Sequence, residues 1–293
     1  MRLTIKISRL SNLLFFIKKT KKYSSINIDL QKYFLDETLE LSFYAQNNTR
    51  IWNQIRKIIG KKNIKEFKKF IASFSFDFNS YWNKSFKNLV LWRRYFQNNE
   101  FLFRQTLLKI EKLSGIKHFL VSKVPIYLVS DSTKDDEEIN AWFSWTPSQK
   151  SIVIEIPVEY KPPNNYFPLS ILEHEFFHLI LRKNKKLLFQ INNIAKENDK
   201  LLRKISNGMS NRMVFEELLV SSFIPEGYLN EKYFNQKVTP FTYKPKDLLE
   251  WRKFVAYKFY KTSKRYVDDN IVIDENYLKD LIELVGQNIK NPL

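Results

Sequence analysis

A chain of 293 residues, 44% hydrophobic and 16% aromatic, has the apolar content for one large domain or two modest ones, which excludes a disordered chain. It contains no cysteine, which excludes disulfides and thiolate metal sites and leaves imidazole and carboxylate as the ligands for any transition metal. The formal charge of +18 comes in short scattered runs (Lys18-Lys19, Lys61-Lys62, Lys68-Lys69, Arg182 to Lys186), so it reads as solvated surface, with a nucleic-acid or other polyanion site as the lesser alternative.

Residues 3–8, LTIKIS, alternate apolar and polar and predict a short strand. The apolar stretch from Leu13 to Ile17 is too short for a secretory core, and nowhere do 18 apolar residues run together. The expectation is therefore a soluble, cytoplasmic protein with no membrane span. From about 27 to 114 the period is helical: Leu30, Phe34, Leu39, Leu41 and Tyr44, then Ile51, Trp52, Ile55, Ile58 and Ile59 closed by Gly60. An aromatic-rich stretch through Trp82, Leu89, Trp92 and Phe96 follows, and then Phe101 to Leu113, ended by Ser114 and Gly115. The aromatic stripes are expected to be packing surfaces.

After Gly115 the period changes. VPIYLVS (124–130), NAWFSWTP (140–147) and SIVIEIP (151–157) predict three short strands of one small sheet. The intervening DSTKDDEEIN (131–140) reads as a solvated acidic loop, since its spacing fits no EF-hand. KPPNNYFP ends the strand pattern, and Pro168 suits the first turn of a helix. Further helices are expected over about 185–206, 211–223, 246–263 and 275–286. The predicted fold class is α+β, with a mainly helical N-terminal region at 1–114 and a second region at 115–293.

The segment ILEHEFFHLI, 171–180, places two of the three histidines four residues apart with a glutamate between them. The composition yields about 0.003 expected chance matches to H-[DE]-x-x-H, so accident is a weak explanation. On a helix His174 and His178 share a face and can present both rings to one ion, while Glu175 lies one residue round, placed for a general base and not for a ligand. Zn2+ fits this chemistry, because it acidifies a water that the carboxylate can deprotonate as it attacks a carbonyl.

A catalytic zinc needs a third protein ligand. His118, in GIKHFLV, is expected to be a packing or surface residue. A carboxylate on a strongly apolar helix wants a partner, and NRMVFEELLVSSFIPEGYL (211–229) offers two, Glu216 and Glu217. Glu216 is nearer the centre of the apolar face of Phe215, Leu219 and Phe223. Glu217 is favoured, because small Ser221 one turn on leaves room for a further contact. Glu197 and Asp199 sit in a polar segment, and Glu226 follows Pro225 as an outsider.

HEFFH, the β-rich lead-in and a glutamate helix 38 or 39 residues beyond His178 together resemble a gluzincin, the thermolysin-like class of zinc metallopeptidases, over roughly residues 120–229. The asparagine before the glutamate ligand and the aspartate one turn after it in thermolysin have no counterpart here, which leaves Glu216 and Glu217 both open. The resemblance implies a zincin-like catalytic domain at 115–293, a peptide or protein substrate, and a cleft whose edge strand, SIVIEIP, pairs with extended substrate. It also implies an oxyanion donor beyond the glutamate helix, for which Tyr228 and Tyr233 are candidates. A zincin fold that has lost its hydrolytic role and a basic nucleic-acid-associated protein are the competing readings.

Overall fold

Helix starts are written directly into this sequence. Ser8, Asn47, Asn184, Ser210 and Asp247 each accept a hydrogen bond from the backbone N–H three residues on, which satisfies an orphan donor of the first turn. The computed structural model describes residues 2–35, 47–133, 138–146, 149–206 and 208–290. Leu39, Leu41 and Tyr44, residues 134–137 of the acidic loop, Pro147 at the end of the second predicted strand, and Ser148 lie outside the described residues.

The chain divides into two compact units that interleave along the sequence: residues 1–100 with 120–164, and residues 101–119 with 165–293. The boundary expected after residue 114 falls inside the second unit. Pairing of the N-terminal strand with the sheet is what draws residues 120–164 to the N-terminal helices.

In the first unit, β1 (Ile5–Lys6), β2 (Ile126–Asp131), β3 (Asn140–Thr146) and β4 (Gln149–Pro157) form a mixed sheet in the order β1-β2-β4-β3. β1, β2 and β4 run parallel, with Ile5 opposite Ile126 and Ile126 opposite Ile152, while β3 turns back antiparallel on β4. The strand expected to be the free edge, SIVIEIP, is therefore interior. Its residues 151–157 are all buried, as are those of β2, and an apolar run buried on both faces belongs in the middle of a sheet. Among the described residues the edges are the two-residue β1 and β3.

Around this sheet lie α1 (Arg9–Lys19), α2 (Ile28–Leu35), α3 (Asn48–Ile59), α4 (Ile64–Ser73) and α5 (Ser75–Asn98). Leu14, Phe15, Ile17, Phe34, Ile51, Ile55, Phe67 and Phe78 pack with Tyr127, Val129 and Val153 into one core, so the aromatic stripes are packing surfaces, as expected. The reading of Leu13 to Ile17 by length alone had missed α1. It is anchored by Asn12, which is fully buried, donates to the Leu128 carbonyl (3.1 Å) and accepts from the Ser130 N–H (2.9 Å).

The second unit is helical: α6 (Glu100–Leu113), save its first residue, α7 (Phe167–Leu181), α8 (Lys185–Glu197), α9 (Asp199–Leu202) and α10 (Asn211–Ser221), then α11 (Tyr228–Phe234), α12 (Leu248–Lys258), α13 (Tyr260–Asp268) and α14 (Glu275–Lys290). The single helix expected over 246–263 is broken at Phe259, and α11 was not anticipated. α7 carries HEFFH. From Pro168 to Leu181 every residue but Ile171 is buried, so this helix is enclosed all round. Phe176 meets Phe103 edge-on at 5.2 Å and Phe177 meets Phe223 at 5.7 Å, each buried ring worth roughly 1.5–3 kcal/mol in removed apolar surface. The fold class is α+β, and among the described residues no helix is long and apolar enough to cross a membrane.

Candidate metal centre

The spacing within HEFFH puts His174 and His178 on one face of α7, with ring centroids 4.7 Å apart. Opposite them, α10 presents Glu217. His174 Nε2 lies 3.1 Å from Glu217 Oε2, His178 Nε2 lies 3.2 Å from Glu217 Oε1, and the two Nε2 atoms are 3.1 Å apart. Three lone-pair donors thus converge within 4.8 Å of one another, a group that could hold a metal ion. Ligands at 2.0–2.1 Å around a tetrahedral zinc stand about 3.3 Å apart, which these separations approach.

Both rings are held from behind. His174 Nδ1 faces the Ile224 carbonyl at 3.0 Å; a carbonyl can only accept, so Nδ1 carries the proton and donates it, leaving Nε2 as a bare donor pair toward the group. His178 Nδ1–H donates to Glu216 Oε1 at 2.8 Å. A ring nitrogen turned to a carboxylate or carbonyl while the other faces inward is the arrangement that orients metal-ligating histidines. The two candidate carboxylates therefore separate by role. Glu217 faces both rings' inner nitrogens, and Glu216, fully buried, backs His178 and takes Arg182 Nε at 3.4 Å.

Charge follows the geometry. Burial works to raise Glu217, but the imidazoles of His178 and His174 beside it hold its carboxyl well below the ordinary range. Burial opposes a charged His178, yet Glu217 and Glu216 next to it lift its pKa to about 10. His174 stays below the usual imidazole value because it is desolvated and Arg252 lies near. Four carboxylates, Glu175, Glu216, Glu217 and Glu226, share this region with the half-buried guanidinium groups of Arg182 and Arg252, with Arg212 4.0 Å from Glu216 at the rim. The three guanidinium groups and the proton on His178 balance the four carboxylates without metal, and a divalent cation can take that proton's place between the rings and Glu217.

Glu175 is buried, 7% exposed, and its charge acts on both Arg182 and Arg252. His118 is exposed and in a left-handed backbone conformation (φ 58°), outside the group, in keeping with its reading as a surface residue. Tyr228 is engaged elsewhere: its hydroxyl donates to Asp268 (3.1 Å) and accepts from Lys264 Nζ (2.9 Å). Tyr233 is half-buried, with its phenol raised by burial.

Sequence reasoning missed three contributors. The Ile224 carbonyl leaves no side-chain signal. Gly227 allows the loop from Ser222 to close, since a Cβ there would stand 2.2 Å from the Ser222 carbonyl oxygen. Arg252 was visible as a lone guanidinium among Trp251, Phe254 and Val255, an apolar setting in which a charge needs partners. The candidate group rests on this geometry alone, for no known family model, curated protein or solved structure matches the chain.

Proposed function

We propose that the protein is a zinc-dependent peptidase with a zincin-like catalytic arrangement, in which His174, His178 and Glu217 hold the ion and Glu175 is the general base. One observation carries this reading: two Nε2 atoms and a carboxylate converge at 3.1–3.2 Å, and both rings are held in that pose by the Ile224 carbonyl and Glu216 behind them. Two inward-facing imidazole nitrogens and a carboxylate need a proton or a cation among them; the proton on His178 serves without metal and a divalent ion can displace it, so the arrangement makes sense as a ligand set.

Zinc, when bound, supplies Lewis acidity that polarises a carbonyl and acidifies water. The Glu175 carboxylate takes a proton from the attacking water and returns it to the departing amine, so one water and one peptide bond yield a carboxylate and an amine. Glu216 and the Ile224 carbonyl keep the imidazoles from turning. Exposed Lys183, Lys185 and Lys186, just beyond His178, favour acidic or extended unfolded substrates.

Elemental analysis of the purified protein tests the ligand set, with about one zinc per chain expected. Glu175→Gln then tests the chemistry: it keeps the metal and loses peptide cleavage by at least about a hundredfold. A variant that holds zinc and cleaves as fast as wild type overturns the peptidase reading.

A further inference from the structure

Arg252 lies half-buried on α12, flanked in sequence by the buried Trp251, Phe254 and Val255, and its guanidinium is used on three sides. Nε donates to Ser221 Oγ at 2.7 Å, Nη2 lies 3.0 Å from Glu226 Oε1, and Nη1 lies 3.6 Å from Glu217 Oε2. That last oxygen is the one 3.1 Å from His174 Nε2. Ser221 is one helical turn beyond Glu217 on α10, so a single planar fork grips both the candidate ligand and the turn that follows it.

We propose that Arg252 is a positioning residue for the third metal ligand. It holds the Glu217 carboxylate in the pose that offers one oxygen to each histidine's side, and so sets the affinity and geometry of the divalent ion. The inference rests on the metal reading above and adds a residue that the ligand motif does not contain. Two effects compete. A bare cation this close repels a metal ion, whereas a fixed carboxylate binds it better because no orientation is lost on binding. Glu226 neutralises the guanidinium at 3.0 Å, so orientation wins, and removing Arg252 weakens the site.

The test uses the full-length protein, with cobalt uptake followed by visible absorption and zinc affinity by competition with a chelator. Wild type is expected to bind one ion per chain. Arg252→Gln is expected to lose about tenfold to a hundredfold in zinc affinity, the range for outer partners of metal ligands, and to change the cobalt spectrum. Arg252→Lys restores the charge but not the fork and recovers only part. Ser221→Ala weakens binding in the same direction by less, and adds nothing in the Arg252→Gln background, because it acts through the guanidinium. Should Arg252→Gln fail to fold, Ser221→Ala still reads the same effect. Wild type that takes up no metal overturns the metal reading and this inference with it. Wild type that binds while Arg252→Gln and Ser221→Ala bind equally well, with an unchanged cobalt spectrum, overturns the inference alone, as does full recovery by Arg252→Lys.

Discussion

Adjacent glutamates in this chain do different work because a helix turns each by about 100° from the last. Glu217 faces the inner nitrogens and Glu216 backs one ring, so Glu217→Gln is expected to abolish tight zinc binding, while Glu216→Gln weakens it about tenfold to a hundredfold. Chelator competition on the two variants separates them; equal losses would merge the roles. Glu173 is the opposite case. Fully enclosed, its carboxyl is raised well above the ordinary value of 4.5 by burial. As pH rises past that value the unfolded chain sheds a proton that the folded chain keeps, so this residue costs stability at neutral pH. Glu173→Gln is accordingly expected to unfold at higher urea than wild type at pH 7, with the difference fading below 4.5. A destabilised Glu173→Gln at pH 7 would contradict the burial argument.

At the scale of elements, the candidate metal group depends on the short loop between α10 and α11 as much as on either helix. That loop supplies the Ile224 carbonyl behind His174 and Glu226 beside Arg252, and it closes only because residue 227 has no side chain. Gly227→Ala places a methyl 2.2 Å from backbone that cannot yield cheaply, so a loss of about 1–3 kcal/mol is expected together with weaker zinc binding. Thermal unfolding and chelator competition check both, and an Ala variant that matches wild type in each would show that the loop does not set the ring's orientation. The other end of α10 has its start set by Ser210, whose hydroxyl accepts from the Met213 N–H, which keeps the helix register that aims Glu217.

For the molecule as a whole, the candidate ligand group lies in the second unit together with α12, and the buried charges there favour the folded state only when they are balanced. Zinc at a hundred times its dissociation constant is therefore expected to stabilise the protein by about 2.7 kcal/mol, read as a shift in unfolding midpoint that a chelator reverses. His178 supplies part of that balance without metal. Its pKa of about 10 lies above the unfolded imidazole value of 6.5, so its contribution is complete below 6.5 and is lost as pH rises through 10; the chelated protein is expected to weaken across that window. Stability of the chelated protein that rose over the same range would exclude the proton on His178.

The sequence by itself determined the α+β class, the strands, most helix starts and the candidate ligand pair, because caps, periodicity and the i, i+4 spacing are local properties of the chain. Ser221 was legible too, as the small residue that leaves room beside Glu217, and it is where Arg252 lands. What only the tertiary structure decided is non-local. Strand order put SIVIEIP inside the sheet because both of its faces are buried and both of its edges are paired. The choice of Glu217 over Glu216, the Ile224 carbonyl and the reach of Arg252 depend on segments that lie 30 to 50 residues apart or more in sequence, and no periodicity encodes which of two neighbouring carboxylates a distant helix will meet.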